Sequence, residues 1–210
     1  LGIIPSGTAN LLAYKLGINA DLKRTLKIFD KNNIRKIDIL DINGKPSFLR
    51  CGFGYDSDII CKTPQSLKNK FGYFAYFIAG IIFALRLTPK KYDITYDEQK
   101  LTVDATCIII ANAPNMYRNL FSLGIKSELD DGLFDVFVLK AKNPVTFFLE
   151  FLLIGFGLKK DSSRACYFKA KELKIRNSWT TCHIDGEKTK LKNNIYVGII
   201  PSTLKVLSNR

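Results

Sequence analysis

The sequence contains little histidine and no paired cysteine motif. Its 210 residues include one histidine, His183, and five cysteines, none of which stands in a CxxC pair. Zinc sites and disulfide frameworks need closely spaced or evenly paired cysteines, so this set indicates reduced thiols in a cytosolic protein. His183 lies in an apolar run beside a turn, where a packed or surface histidine is a simpler interpretation than a catalytic one.

The sequence also lacks an apolar run long enough to cross a bilayer. A spanning helix needs about 20 apolar residues. The two apolar segments, 71–85 and 145–156, are shorter, and the second contains Glu150. Both predict buried helices or a surface that touches lipid. The first residues do not have the pattern of a signal peptide, so a cytoplasmic protein is expected.

Acidic residues are outnumbered, with 19 Asp and Glu against 32 Lys and Arg, which gives a net charge of +13. Such a chain is attracted to phosphate-rich surfaces, whether nucleic acid, nucleotide or anionic lipid. The sequence contains no zinc finger, aromatic RNA-binding motif or basic recognition helix. This pattern favours a membrane surface, with peripheral membrane contact, over a nucleic-acid partner. A homodimer is left open.

The order of predicted elements indicates an α+β fold. Residues 1–33 predict a strand, a turn and two short helices, as in a remnant of an N-terminal α/β nucleotide-binding domain. Residues 34–210 predict a β-sandwich-like domain with two apolar helices, at 71–87 and 145–158. Its strands include single segments at 46–51 and 101–112, and Asn43-Gly44 predicts a hairpin turn. Because the chain starts inside a strand–turn–helix unit, we expect it to be truncated.

Two short segments are candidate phosphate or metal sites. Pro5–Asn10 is a turn of small residues before a helix, where the hydroxyls of Ser6 and Thr8 and the backbone at Gly7 could hold an anion. A simple capped turn is the alternative. Four acidic side chains lie close together around a second turn and could bind a hard cation: Glu128, Asp130, Asp131 and Asp135. An ordinary Asp-Gly turn is the alternative there.

Two further segments contain aspartates after glycines or at a strand end. Asp185-Gly186-Glu187 follows an apolar strand and is either a hairpin turn or a pair of carboxylates able to act as base and as metal or hydroxyl ligand. The segment 52–58, GFGYDSD, predicts a bulged strand, either for packing or for close approach of a ligand to the backbone.

In combination, these segments resemble the diacylglycerol and sphingosine kinase family. GIIPSGTANLLAYKLGI is similar to its P-x-G-T-x-N loop, and GFGYDSDI to its G-x-G-[FY]-D segment. IIIANAPNMY, SELDDGLFDVFVL, HIDGE and IYVGIIPSTLKVL resemble the family's later motifs in the same order. The resemblance covers essentially the whole chain and implies an ATP-dependent lipid kinase.

The resemblance implies a role for each site residue. Ser6, Gly7 and Thr8 would touch the nucleotide phosphates, with Glu187 near the nucleotide or its metal. Asp185 would be the general base for the lipid hydroxyl, and Asp56 would line the head-group pocket. A structural Mg²⁺ would be held by the Asp131 carboxylate and the backbone carbonyls of Glu128 and Leu133.

The sequence departs from the family pattern in two places. The family's G-G-D-G-T nucleotide loop does not occur in these residues, so the isolated chain is expected to be inactive. Its run of one tyrosine and three glycines is replaced by Tyr117-Arg118-Asn119-Leu120, which leaves the lipid acceptor open. The alternatives are an NAD-kinase-like phosphotransferase and a non-catalytic lipid-binding module.

Overall fold

The computed structural model describes residues 1–7, 10–19, 21–72, 74–112, 128–155, 162–176, 181–191 and 194–209. Within them, twelve strands form two antiparallel six-stranded sheets. Sheet 1 has the order β2 (Lys45–Ser47), β1 (Ile34–Ile42), β12 (Asn194–Leu207), β9 (Glu172–Arg176), β4 (Lys90–Tyr96) and β5 (Gln99–Ala105). Sheet 2 has the order β11 (Glu187–Lys190), β10 (Thr181–Ile184), β3 (Arg50–Gly54), β6 (Cys107–Ala111), β7 (Phe134–Leu139) and β8 (Ala165–Ala170).

The described residues also contain six helices. They are α1 (Leu11–Lys15), α2 (Leu22–Lys31), α3 (Tyr55–Lys62), α4 (Gln65–Phe71), α5 (Phe74–Ala84) and α6 (Pro144–Gly155). The predicted α+β class with a β-sandwich is therefore confirmed. The hairpin at Asn43-Gly44 is also confirmed, since Ile42 pairs with Lys45 and both turn residues have positive φ.

The two sheets enclose the main hydrophobic core. Alternate residues of each strand point inwards, as period-2 patterning requires. Tyr92 and Val197 of sheet 1 and Phe53 and Ile110 of sheet 2 are all fully buried there. Burial of each such side chain contributes about 1.5–3 kcal/mol.

The chain crosses between the sheets at two points that the sequence analysis predicted as continuous strands. The segment 46–51 divides into β2 and β3, and the segment 101–112 divides into β5 and β6 at Thr106. The Thr106 hydroxyl is buried and donates to the carbonyls of Leu139 and Ala141, each at 3.1 Å. These single-strand predictions are wrong because no local turn signal marks either crossing.

A helical layer covers the outer face of sheet 2. Tyr55 of α3, Ala84 of α5 and Phe147 of α6 pack with Ile109 and Phe137 of the sheet. The predicted apolar helix at 71–87 is α5 alone, because Gly72 ends α4 with a φ of 54°. The predicted bulged strand at 52–58 is also wrong in part, since α3 begins directly after Gly54.

Residues 1–33 pack against one end of sheet 1. Ala13 and Ile28 join Ile37 and Val206 in a third buried cluster. Asp21 caps α2, because its carboxylate accepts the N–H groups of the second and third helical residues. The N-terminal segment is therefore held against β1 and β12, beside the end of the sandwich that carries the candidate site.

Candidate functional site

The turn between β10 and β11 carries Asp185. Ile184 pairs with Glu187, so Asp185 and Gly186 are the central residues of a hairpin, with φ angles of 50° and 96°. The N–H of Asp185 donates to the carbonyl of Arg50 at 2.9 Å. The hairpin-turn interpretation is thus confirmed, and this turn presents a half-buried carboxylate.

The Asp185 carboxylate binds the loop in which the chain crosses from β2 to β3. Its Oδ1 accepts Ser47 Oγ at 2.7 Å and the N–H groups of Leu49 and Arg50 at 2.9 and 3.0 Å. Within the described residues, Oδ2 accepts only the N–H of Phe48, at 2.7 Å. An ionised carboxylate offers about four acceptor positions, two on each oxygen. Oδ1 is therefore saturated, whereas Oδ2 has room for a further donor such as a hydroxyl.

A buried ionic network lies beside this turn. Asp56 Oδ1 is 3.2 Å from Arg50 Nη2, and Asp56 Oδ2 is 2.6 Å from His183 Nε2. Burial alone would raise the pKa of Asp56, but the charge of Arg50 and the contact with His183 prevail and lower this pKa. The interpretation of His183 as a packed residue is confirmed, since it is fully buried.

Two glycines make room for this network. A Cβ at Gly52 would overlap Asp56 Oδ2 and His183 Nε2, and one at Gly54 would overlap the carbonyl of Thr106. The segment 52–58 was interpreted as a place of close approach, and the approaching groups are side chains and backbone of the protein itself. Asp56 is only 3% exposed, so its predicted role in a head-group pocket has no support from an open surface.

The acidic turn around Asp131 is held by basic side chains. Asp131 Oδ2 is 2.6 Å from Lys169 Nζ, and Oδ1 accepts the N–H of Leu133 at 3.1 Å. Asp130 and Glu128 both pair with Arg35. Within the described residues, no three carboxylate, histidine or cysteine side chains gather as metal ligands. The predicted metal set of Asp131, Glu128 and Leu133 does not fit a divalent cation in this arrangement. Its one carboxylate, that of Asp131, is paired with the ammonium group of Lys169.

A buried aspartate that the sequence analysis did not select orders this same turn. Asp38 is fully buried in β1, and its carboxylate accepts the N–H groups of Gly132 and Ser202, each at 2.7 Å. Its carbonyl accepts Asn112 Nδ2 at 2.8 Å. The pairing of β1 with β12 shifts between Ile37 and Ile39, so Asp38 lies at a bulge. The adjacent apolar residues Ile39 and Leu40 change the phase of the alternation one residue after Asp38, which is the signal that could have pointed to this irregularity.

The N-terminal turn is closed by its own side chain. The Gly7 N–H donates to Asn10 Oδ1 at 2.9 Å, and Asn10 Nδ2 donates to the Gly7 carbonyl at 2.7 Å. The Gly7 N–H that was predicted to meet a phosphate is therefore already satisfied. Ser6 is exposed, and Thr8 lies outside the described residues, as does the 117–120 segment.

The described contacts connect this turn to Asp185 only indirectly. Leu49, whose N–H binds Asp185, packs against the cluster that includes Ile3 and Leu12. No hydrogen bond within the described ranges joins Asp185 to Ser6 or Gly7, so their shared cleft stays a prediction. Glu187 is exposed at the start of β11, and its role near a nucleotide likewise stays a prediction.

The helical layer presents an exposed apolar face, which we call the apolar helix face. It consists of Phe71, Phe74, Phe77, Ile81, Ile82, Leu85, Val145 and Leu149. The rings of Phe74 and Phe77 stack at 5.4 Å, and Phe77 meets Phe148 of α6 at 6.4 Å, so the face continues across two helices. Among the residues that the structure describes, no helix is both long and apolar enough to span a membrane.

Family models match most of the chain. Residues 50–208 match the YegS C-terminal NAD kinase beta sandwich-like domain, and residues 1–42 match the diacylglycerol kinase catalytic domain. A Bacillus subtilis (strain 168) diacylglycerol kinase is 29% identical over 96% of this chain and 64% of its own length. A probable lipid kinase YegS-like from Citrobacter koseri is 35% identical over 53% of this chain and 38% of its own length.

Solved structures agree with this fold. The crystal structure of a diacylglycerol kinase from Bacillus anthracis str. Sterne aligns with a TM-score of 0.73 at 20% identity, over 99% of this chain and 66% of that one. A second structure from that organism gives a TM-score of 0.80 at 21% identity, over 99% of this chain and 68% of that one.

The two sheets and the family match over residues 50–208 assign most of this chain to the β-sandwich domain of a kinase family. The chain belongs to the diacylglycerol kinase and YegS-like family of lipid kinases. It spans 64% of the length of the Bacillus subtilis relative.

Proposed function

We propose that this chain is part of an ATP-dependent lipid kinase that transfers the γ-phosphate to a hydroxyl of diacylglycerol or a related lipid. The observation that carries the proposal is the Asp185 carboxylate, which is fixed by four hydrogen bonds and, as far as the described residues go, has one acceptor position open at Oδ2. A general base needs both properties, a fixed orientation and a free lone pair within reach of the hydroxyl.

In the proposed reaction, Asp185 Oδ2 accepts the proton of the lipid hydroxyl as that oxygen attacks phosphorus. The crossing loop 47–50 keeps Oδ1 saturated, so the open position on Oδ2 is the one that a hydroxyl can reach. ATP would supply the phosphoryl group: the bond between its γ-phosphorus and the bridging oxygen breaks, ADP leaves, and Mg²⁺ would screen the phosphate charge. The exposed hydroxyl of Ser6 is a candidate contact for its phosphates, whereas the Gly7 N–H would first have to leave Asn10. No step is assigned to the turn at Asp131, whose carboxylate is paired with Lys169.

The apolar helix face supports a lipid acceptor. Phe74, Phe77 and Ile81 recur every three or four residues, so they lie on one side of α5, and Leu85 follows directly after its last residue. Between Asp58 and Asp93 the chain contains six basic residues and no acidic one. Anionic lipid attracts each basic residue near its surface by about 1 kcal/mol. A second copy of the chain would instead bring like charges together, so we assign this face to an anionic membrane.

The proposal is tested with the full-length gene product and labelled ATP on vesicles that contain diacylglycerol and anionic phospholipid. We expect labelled phosphatidate from the wild type and a loss of about 10²–10⁴-fold with Asp185→Asn, the usual contribution of a general base. Circular dichroism checks that the variant is folded. If Asp185→Asn turns over the lipid at the wild-type rate, Asp185 is excluded as the base.

The same assay decides between the acceptor classes. NAD and a sphingoid base are supplied in place of diacylglycerol, each with and without vesicles. Turnover with NAD alone would replace the proposal by an NAD-kinase-like activity. Vesicle binding without turnover of any acceptor would leave a non-catalytic lipid-binding module.

A further inference from the structure

The residues around the Asp185–Gly186 turn form a closed ring of hydrogen bonds. On one side, the Arg50 backbone contacts Asp185 twice, since its N–H donates to Oδ1 at 3.0 Å and its carbonyl accepts the Asp185 N–H at 2.9 Å. On the other side, the Gly186 N–H donates to His183 Nδ1 at 3.3 Å. Asp56 closes the ring, because it contacts both the His183 ring and the Arg50 guanidinium.

The ring fixes the tautomer of His183. Nδ1 accepts the Gly186 N–H, so it carries no proton, and the proton of the neutral ring is on Nε2. Nε2 then donates to Asp56 Oδ2 at 2.6 Å. The second oxygen of Asp56 faces Arg50, whose positive charge balances the carboxylate. All three residues are shielded from solvent: Arg50, Asp56 and His183 are 9%, 3% and 0% exposed.

The turn has a conformation that needs such support. Asp185 has a φ of 50°, in the left-handed region that residues with a side chain rarely adopt. The four hydrogen bonds to loop 47–50 and the Gly186–His183 bond together hold it there. If the turn were released, the Asp185 carboxylate would move, and the open acceptor site on Oδ2 would no longer point in the same direction.

We propose that Arg50, Asp56 and His183 are positioning residues, which hold the Asp185–Gly186 turn and so aim the Asp185 carboxylate at the acceptor hydroxyl. This inference rests on the proposed function, in which Asp185 is the base. It gives Asp56 a different task from lining a head-group pocket. It also gives the single histidine of the chain a function, although that residue touches no substrate.

Two substitutions of His183 separate the two halves of the ring. His183→Asn keeps an acceptor near the position of Nδ1 but loses the donor to Asp56. His183→Gln keeps a donor near the position of Nε2 but loses the acceptor for Gly186. The matched control is Ser57→Ala, since Ser57 is buried beside Asp56 and its hydroxyl contacts the Cys61 thiol outside the ring.

The first measurement needs no enzymatic activity. His183 is the one histidine of these 210 residues, and in the full-length protein the pair of ¹⁵N-histidine ring signals that disappears in both His183 variants identifies it. We expect the Nε2–H tautomer near neutral pH, and a shift of the Gly186 amide signal in His183→Gln that is larger than in His183→Asn. An Nδ1–H tautomer, or equal Gly186 shifts, would overturn the ring.

The second measurement is steady-state kinetics of the full-length protein. We expect kcat to fall about tenfold in His183→Gln and less in His183→Asn, with KM for lipid unchanged, while Ser57→Ala keeps the wild-type kcat. Equal losses of kcat in both histidine variants would reduce the ring to a purely structural feature. If the wild type phosphorylates no lipid, the proposed function fails, and the positioning of the turn is then decided by the ¹⁵N and Gly186 signals alone.

Discussion

Asp38 and Gly132 meet at 2.7 Å through a carboxylate and a backbone N–H, although 94 residues separate them in the chain. The other oxygen of Asp38 accepts the N–H of Ser202, where β12 has a residue with a φ of 50°. One buried side chain therefore fixes both the acidic turn and the bend of the longest strand. Asp38 lies opposite the irregular pairing at which β12 has two more residues than β1, between Ile200 and Leu204, and this irregularity brings the Ser202 N–H within reach of its carboxylate.

Replacement of Asp38 by alanine is expected to destabilise the fold. Each of the two buried N–H groups left without an acceptor costs about 1–3 kcal/mol, so the free energy of unfolding falls by about 2–6 kcal/mol. Urea unfolding followed by circular dichroism measures this change. Asp104→Ala is the control, since Asp104 is exposed on β5 and its loss is expected to stay within about 0.5 kcal/mol. Equal losses for the two variants would show that the Asp38 contacts contribute little.

The buried pair of Arg50 and Asp56 predicts the acid response of the protein. The pKa of Asp56 is lowered in the folded state from its ordinary value of 3.8. Its contribution to stability is therefore complete above that value and is lost as pH falls through the lowered pKa. Acid unfolding of the wild type is expected to steepen below about pH 4, and Asp56→Asn is expected to lose this steepening. Acid-unfolding curves of equal steepness for the wild type and Asp56→Asn would contradict the assignment of this acid response to Asp56.

The turns were predictable from the sequence, whereas the crossings between sheets were not. Asn43-Gly44 and Asp185-Gly186 are local signals, because their residue types favour positive φ wherever they occur. Thr106 and the loop 47–50 have no such signal, since the choice of sheet depends on partners far away in the chain. The same limit explains the site: Asp185 was selected from its motif, but its donors at 47–50 come from about 136 residues away.

The buried polar residues divide in the same way. His183 was interpreted as a packed or surface residue rather than a catalytic one, and it is packed. Its partners Arg50 and Asp56 could not be inferred, since the first was assigned only to a predicted strand and the second was attributed to a substrate pocket. Charge compensation among buried groups depends on three-dimensional proximity, and periodicity carries no information about it.

Mg²⁺ is expected to leave the melting temperature of the described fold unchanged at millimolar concentration. Lys169 Nζ already lies 2.6 Å from Asp131 Oδ2, and the pKa of Lys169 is raised, chiefly by that contact and the neighbouring carboxylates against the opposing effect of burial. The lysine therefore stays charged near neutral pH and competes with a cation. Differential scanning calorimetry with and without Mg²⁺ measures this. A rise of several degrees that disappears in Asp131→Asn would instead support the metal set of Asp131, Glu128 and Leu133.

The apolar helix face is expected to bind anionic vesicles. Each large apolar side chain that enters the lipid contributes up to about 1.5–3 kcal/mol, so Phe77→Ser with Leu85→Ser is expected to weaken partitioning at least tenfold. Sedimentation with vesicles of anionic and of zwitterionic phospholipid measures the binding, and the anionic vesicles are expected to bind more protein because of the six basic residues between Asp58 and Asp93.

Ile34→Ser is the matched control for this surface, because Ile34 is 53% exposed on β1, in the other sheet. We expect that substitution to leave vesicle binding unchanged, since it removes an exposed apolar side chain from a surface that does not face the membrane. If the double variant binds vesicles as well as the wild type does, and instead abolishes a dimer seen by analytical ultracentrifugation, the face joins two copies of the chain. The like charges around it then have to be screened by salt, and dimerisation would strengthen as ionic strength rises.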